Sequence, residues 1–167
     1  MPRPGPRTRL SVAPRGAAGL QPGVAPGLFA GVTAVWKHMS LGGELGSYLP
    51  TVATSSSGAA VQGWLASVAL VPCLRLVPWS LCGVVSGGRF EGSGEGVVDA
   101  SSKTAAFLAA GARAGVESSV SARWNLHLEA EILGNFTRTT LKVGQETVWN
   151  APPGAVAIAA AMSYEFE

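Results

Sequence analysis

Apolar and polar residues alternate with a period of two along most of the chain, and turn-rich stretches interrupt the alternation. The last segment shows it best. Val156, Ile158, Ala160, Met162, Tyr164 and Phe166 fall on one face of an extended chain, and Ala155, Ala157, Ala159, Ala161, Ser163, Glu165 and Glu167 on the other. Upstream, Trp124, Leu126, Leu128, Ala130 and Ile132 oppose Asn125, His127, Glu129 and Glu131. Helical spacing would scatter those three ionisable groups around an axis, whereas strand spacing sets them in one row.

The same reading gives Leu108, Ala110, Ala112, Ala114 and Val116 opposite Ala109, Gly111, Arg113, Gly115 and Glu117. Residues 80–91 put Cys82, Val84, Ser86 and Phe90 opposite Gly83, Gly87, Arg89 and Glu91, with Val85 out of step. Residues 61–71 are apolar on both faces and leave their register open. Leu41, Leu45 and Leu49 oppose Glu44 and Tyr48, and Leu28, Ala30, Val32, Ala34 and Trp36 share a face. A first strand over 9–18 is interrupted by Pro14 and Gly16. Eight strands are predicted.

The links between them are 19–26, 37–39, 51–60, 72–79, 92–104, 118–122 and 135–154. Long and short links alternate, apart from the similar first and fourth. Transmembrane barrels segregate short turns to one end and long loops to the other, with strands of about 9–11 residues. The expected fold is therefore all-β: an eight-stranded antiparallel up-and-down barrel of transmembrane type over residues 9–167, preceded by a disordered basic tail at 1–8. A spanning helix is the rival reading, since Leu45 to Leu74 carries no charge. Pro50, Gly58, Gly63 and Pro72 break that window too often for a helix.

Composition narrows the picture further. Charged residues are 13% of the chain and hydrophobic ones 47%, against about 25% and 45–50% in soluble domains. So thin a charged coat suits a surface that partly faces something other than water. A net charge of +2, with basic residues gathered at Arg3, Arg7, Arg9 and Arg15, makes no nucleic-acid patch.

In hydrocarbon every backbone polar group needs a partner, which a closed barrel supplies without an edge. Eight strands leave an interior just wide enough for side chains. The residues expected to line it are Arg15, Glu44, Arg89, Glu91, Arg113, Glu117, His127, Glu129, Glu131 and Glu165, a set of mixed sign that would form a salt-bridged plug rather than a wide pore. Trp36, Trp79, Trp124, Trp149, Tyr48 and Tyr164 lie near strand ends, where aromatic girdles sit.

Cys73 and Cys82 flank the fourth link, and a hairpin there would bring them to facing positions. A disulfide suited to an oxidising compartment is expected. A metal pair or two separate buried thiols are the alternatives, and no His lies near enough in sequence to suggest zinc. Gly87, Gly88, Gly92, Gly94 and Gly96 form a glycine-rich stretch without the Gly-Lys-Ser/Thr of a phosphate loop. Asn135-Phe136-Thr137 has only the spacing of a glycosylation acceptor. No cofactor is implied.

Strand count, link alternation and the final strand together resemble the small bacterial outer-membrane β-barrels, such as the transmembrane domain of outer membrane protein A and its eight-stranded relatives. The resemblance covers residues 9–167 as a pattern. It implies outer-membrane residence, contact with membrane lipids and a monomeric state. It also implies a C-terminal strand read by the barrel-assembly machinery through Met162, Tyr164 and Phe166, here with Glu167 after the aromatic. The opening MPRPGPRTRLSVAPRG has basic residues but lacks the apolar core of an export signal. A misassigned start or a longer parent chain is expected.

Three functions follow. The first is a structural or interaction barrel whose loops at 51–60, 92–104 and 135–154 contact other molecules. The second is a lipid-modifying barrel enzyme. One deacylase family of that kind places a His and a Ser two apart on a strand, where this chain reads His127-Leu128-Glu129, so no catalytic residue is assigned. The third is a soluble, lipocalin-like binding barrel, whose interior would be apolar. Which way Glu129 and Glu131 face separates the first from the third.

Overall fold

The computed structural model describes residues 5–54, 60–95, 103–143 and 146–166. Its strands are β1 (Arg7–Ala18), β2 (Val24–Val35), β3 (Met39–Thr54), β4 (Ala60–Leu76), β5 (Trp79–Glu95), β6 (Lys103–Ser119), β7 (Trp124–Asn135), β8 (Thr140–Val143), β9 (Glu146–Asn150) and β10 (Gly154–Phe166). Eight of them close a barrel in the order β1-β10-β7-β6-β5-β4-β3-β2, and β8 and β9 form a separate hairpin. Every pairing is antiparallel, and β1 closes against β10 with Thr8 opposite Phe166 and Ala18 opposite Val156.

The links segregate by end. Residues 36–38, 77–78 and 120–123 turn the chain at the end where β1 begins and β10 ends, which we call the near end. The far end carries 19–23, the closing ends of β3 and β5, and the β8–β9 hairpin. Gly19 and Gly23 hold positive φ angles of 92° and 72° in the 19–23 link, which a β-carbon would disfavour.

Several strands outrun their expected limits. β1 begins at Arg7, so Arg7 and Thr8 belong to the barrel and not to the tail; residues 1–4 lie outside those described. Pro14 and Gly16 sit inside β1 and cost it only local pairing, because its β2 ladder stays in register from Arg7 to Ala18. The eight-residue link expected at 72–79 is a two-residue turn at Val77-Pro78. Pro72 stays within β4, paired with Leu41 of β3. Residues 55–59 and 96–102, in two of the expected loops, fall outside the described set.

In β3 the register slips between Tyr48 and Thr51. Pro50 marks this bulge, the place in a strand where a residue lacking an N–H is tolerated. The buried amide of Gln21 reaches in from the 19–23 link and serves the irregularity. Its nitrogen donates to the Leu49 carbonyl and to Thr51 Oγ1, each at 3.1 Å, and its oxygen accepts from the Leu65 N–H at 2.9 Å.

Leu10, Val12, Leu28, Val32, Leu45, Val68, Leu70, Leu81, Leu128, Ile132, Val156 and Ile158 all point outward, Ile158 being 71% exposed. The inward positions form a core of two kinds, charged toward the near end and apolar toward the far end.

Candidate functional site

The lumen is built in layers. At the near mouth Arg9 donates to Glu165 at 2.7 Å and to Glu117 at 2.9 Å. Glu117 also accepts from Arg75 at 2.9 Å, and Arg7 reaches Glu165 at 2.8 Å. One continuous ion-paired chain therefore crosses the mouth from β1 and β10 to β6 and β4.

A second layer lies at mid-barrel. Arg113, 3% exposed, donates to Glu44 at 2.5 and 2.9 Å and to Glu131 at 2.7 Å, and meets Glu129 at 3.2 Å. Arg15 donates to Glu44 at 2.9 Å. Arg113 lies opposite Glu131 in the β6–β7 register. The opposing face of β10 offers only Ala155, Ala157, Ala159 and Ala161, whose small side chains leave room for these long ones.

Above this layer the lumen turns apolar. The Arg15 guanidinium stacks 4.3 Å from the centre of the Phe29 ring, a cation–π contact. Phe29 meets Tyr48 edge to face at 5.0 Å. Leu65, Val84, Phe90 and Leu133 continue the plug. The β8–β9 hairpin lies against it: Trp149 stacks on Phe90 at 6.1 Å, and Leu141 is buried beside Gly92. The lumen cavity between plug and mouth holds about 90 Å³, lined by Ser11, Glu44, Arg113, His127 and Ser163 among others.

Arg15, Glu44, Arg113, Glu117, His127, Glu129, Glu131 and Glu165 thus face the lumen, on strands β1, β3, β6, β7 and β10. Arg89 and Glu91 do not. They stand on the outer surface of β5, paired with each other, and Arg89 also donates to Thr104 at 3.2 Å. The inward face of β5 is instead Cys82, Val84, Ser86 and Phe90. With a rise of about 3.3 Å per residue and a tilt of about 40°, the ten steps from Trp79 to Arg89 climb about 25 Å, the full height of an apolar band. At that height both sides of the strand are free to be polar, so charge no longer reports the lumen.

His127 Nε2 lies 3.0 Å from Ser163 Oγ, inside the barrel. Ser163 is 2% exposed, and both carboxylate oxygens of the neighbouring Glu117 are held by arginines. The pair is a part-buried polar contact on the lumen side. Arg9, Arg75 and Ser163, absent from the expected lumen set, share the inward parity of Arg15, Cys73 and Glu165 on their strands.

Trp36, Trp79, Trp124, Tyr164 and Phe166 gather at the near end, and Tyr164 packs edge to face with both Trp124 at 5.1 Å and Phe166 at 4.8 Å. They make one girdle. Tyr48 and Trp149, expected in a girdle, belong to the plug. Among the described residues, outward strand positions between this girdle and Arg89 carry no charge. Cys73 and Cys82 face each other in the β4–β5 register and form a disulfide on the lumen side.

An apolar outside around a charged inside reverses the order of a soluble barrel and is the order of a transmembrane one. The fold is that of the small outer-membrane barrels. Ail, the attachment invasion locus protein of Yersinia pestis, superposes with a TM-score of 0.62 at 13% identity, covering 98% of this chain and all of Ail. A major outer membrane protein of Thermus thermophilus gives 0.61 at 14% identity, over 95% of this chain and 99% of that one. Neisserial surface protein A gives 0.57 at 9% identity, over 98% of both chains. No protein-family model matches the sequence, and no curated protein matches it. At these identities the similarity is one of fold.

Proposed function

We propose that this chain is an outer-membrane barrel of structural or surface-interaction role, non-catalytic, with a lumen that passes no solute. The uncharged apolar belt between the near-end girdle and Arg89 carries the reading. A lipid bilayer accepts such a belt, whereas water would drive it to associate. Membrane lipids are its outer partners. Met162, Tyr164 and Phe166 project outward from the closing strand, where the barrel-assembly machinery would read them.

The far end serves as the contact surface. Strands β3 to β6 run longer than β1, β2 and β7, so their hairpins stand above the belt beside the hairpin β8–β9. The lumen glutamates speak against a lipocalin-like binder, which needs an apolar cavity. The test is gel migration of unheated against boiled protein taken from an outer-membrane fraction. A heat-dependent shift is expected, and recovery in the soluble fraction without detergent overturns the proposal.

A further inference from the structure

We propose that the Cys73–Cys82 bond is made by a disulfide-donor protein while β4 and β5 are still an open hairpin, before the barrel closes. The two residues lie nine apart in sequence and directly opposite in register. Their sulfurs point into the lumen, where Cys82 is buried. Cys73 also pairs with Ser40 of β3, and Cys82 with Arg113 of β6, so both flanks are walled once the sheet forms. Toward the near mouth lies the Arg75–Ser80 rung, and Arg75 is tied through Glu117 and Arg9 to Glu165 across the opening.

Thiol–disulfide exchange needs a thiolate to reach a sulfur directly. The cavity beside the bond, about 90 Å³, admits a few waters and no protein loop. In the isolated hairpin the same face is open, and closing so short a loop costs little chain entropy.

One cysteine thiolate attacks the donor's disulfide and forms a mixed disulfide. The second thiolate then displaces the donor, which leaves as a dithiol. The chain loses two protons and two electrons, and the donor gains them. The inference rests on the fold and is independent of membrane residence.

The test uses the oxidised full chain, because access limits exchange equally in both directions. Reduction by a thioredoxin-type dithiol protein and by dithiothreitol is timed on chain unfolded in urea and on barrel folded in detergent. The ratio of the two rates removes any difference in driving force. Folding is expected to lower the protein-to-dithiothreitol ratio at least a hundredfold, and inertness of the folded bond to both reductants is the stronger form of that result. A ratio preserved within tenfold would show that a protein reaches the bond in the closed barrel, and overturns the inference.

Discussion

A charge placed inside an eight-stranded barrel loses its water and keeps only the partners its neighbouring strands provide. The effective cost of that transfer is several kcal/mol per ion, and good geometry returns it only when both partners remain. Arg113 is the extreme case, since it pairs with Glu44, Glu129 and Glu131 at once. Replacing it with methionine would keep much of the volume, leave Glu129 without its cation and leave Glu44 and Glu131 with Arg15 alone. Arg113→Met is expected to cost about 3–5 kcal/mol, read as the shift in urea midpoint followed by tryptophan fluorescence in detergent. Arg89→Gln is the contrast. Its pair with Glu91 is solvent-exposed, and exposed pairs contribute about 0–1 kcal/mol, so its midpoint should stay near the parent's. Gln21 tests a neutral group in the same way. Gln21→Leu leaves the Leu49 carbonyl and the Leu65 N–H without the partner they have at the bulge. A loss of about 1–3 kcal/mol is expected in the same assay.

Among the elements, β6, β7 and β10 were legible because each crosses the belt with apolar residues on one parity and charged or small ones on the other. β5 was not, and the reason is height. Its charges, Arg89 and Glu91, occur only where the strand has climbed past the belt, while the lumen at that level is the apolar plug. A rule that assigns charge to the lumen therefore inverts the strand, and Val85, which broke the alternation, was the residue in its proper outward place. Pro72 and Pro78 give the segment around Arg75 the composition of a loop, so its inward place is not legible in the sequence. Gln21 and the β8–β9 hairpin act through tertiary contact alone, which no periodicity records. For that hairpin, Trp149→Ala removes a stacked pair with Phe90 worth about 0.5–1.5 kcal/mol beyond its buried area. Limited proteolysis within residues 136–153 should speed up by about tenfold, with the heat-dependent gel shift unchanged.

Over the whole molecule the lumen is closed twice by different chemistry, with ion pairs at the near mouth and mid-barrel and aromatic packing at the far end. Protein reconstituted into planar bilayers is therefore expected to show no steady conductance above that of lipid alone. Stable open-channel steps in the unmodified protein would contradict the sealed lumen.

The seam between β1 and β10 has a further consequence, for folding speed. It joins residues 158 positions apart, Thr8 to Phe166, the most distant of the barrel's strand pairings. Sheets dominated by such distant pairings fold slowly, on the scale of about milliseconds to seconds even in small domains. A chain that stops before Gly154 would be left with two unpaired edges, on β1 and β7, which invite pairing with other chains. The barrel closes only when the thirteen residues of β10 arrive.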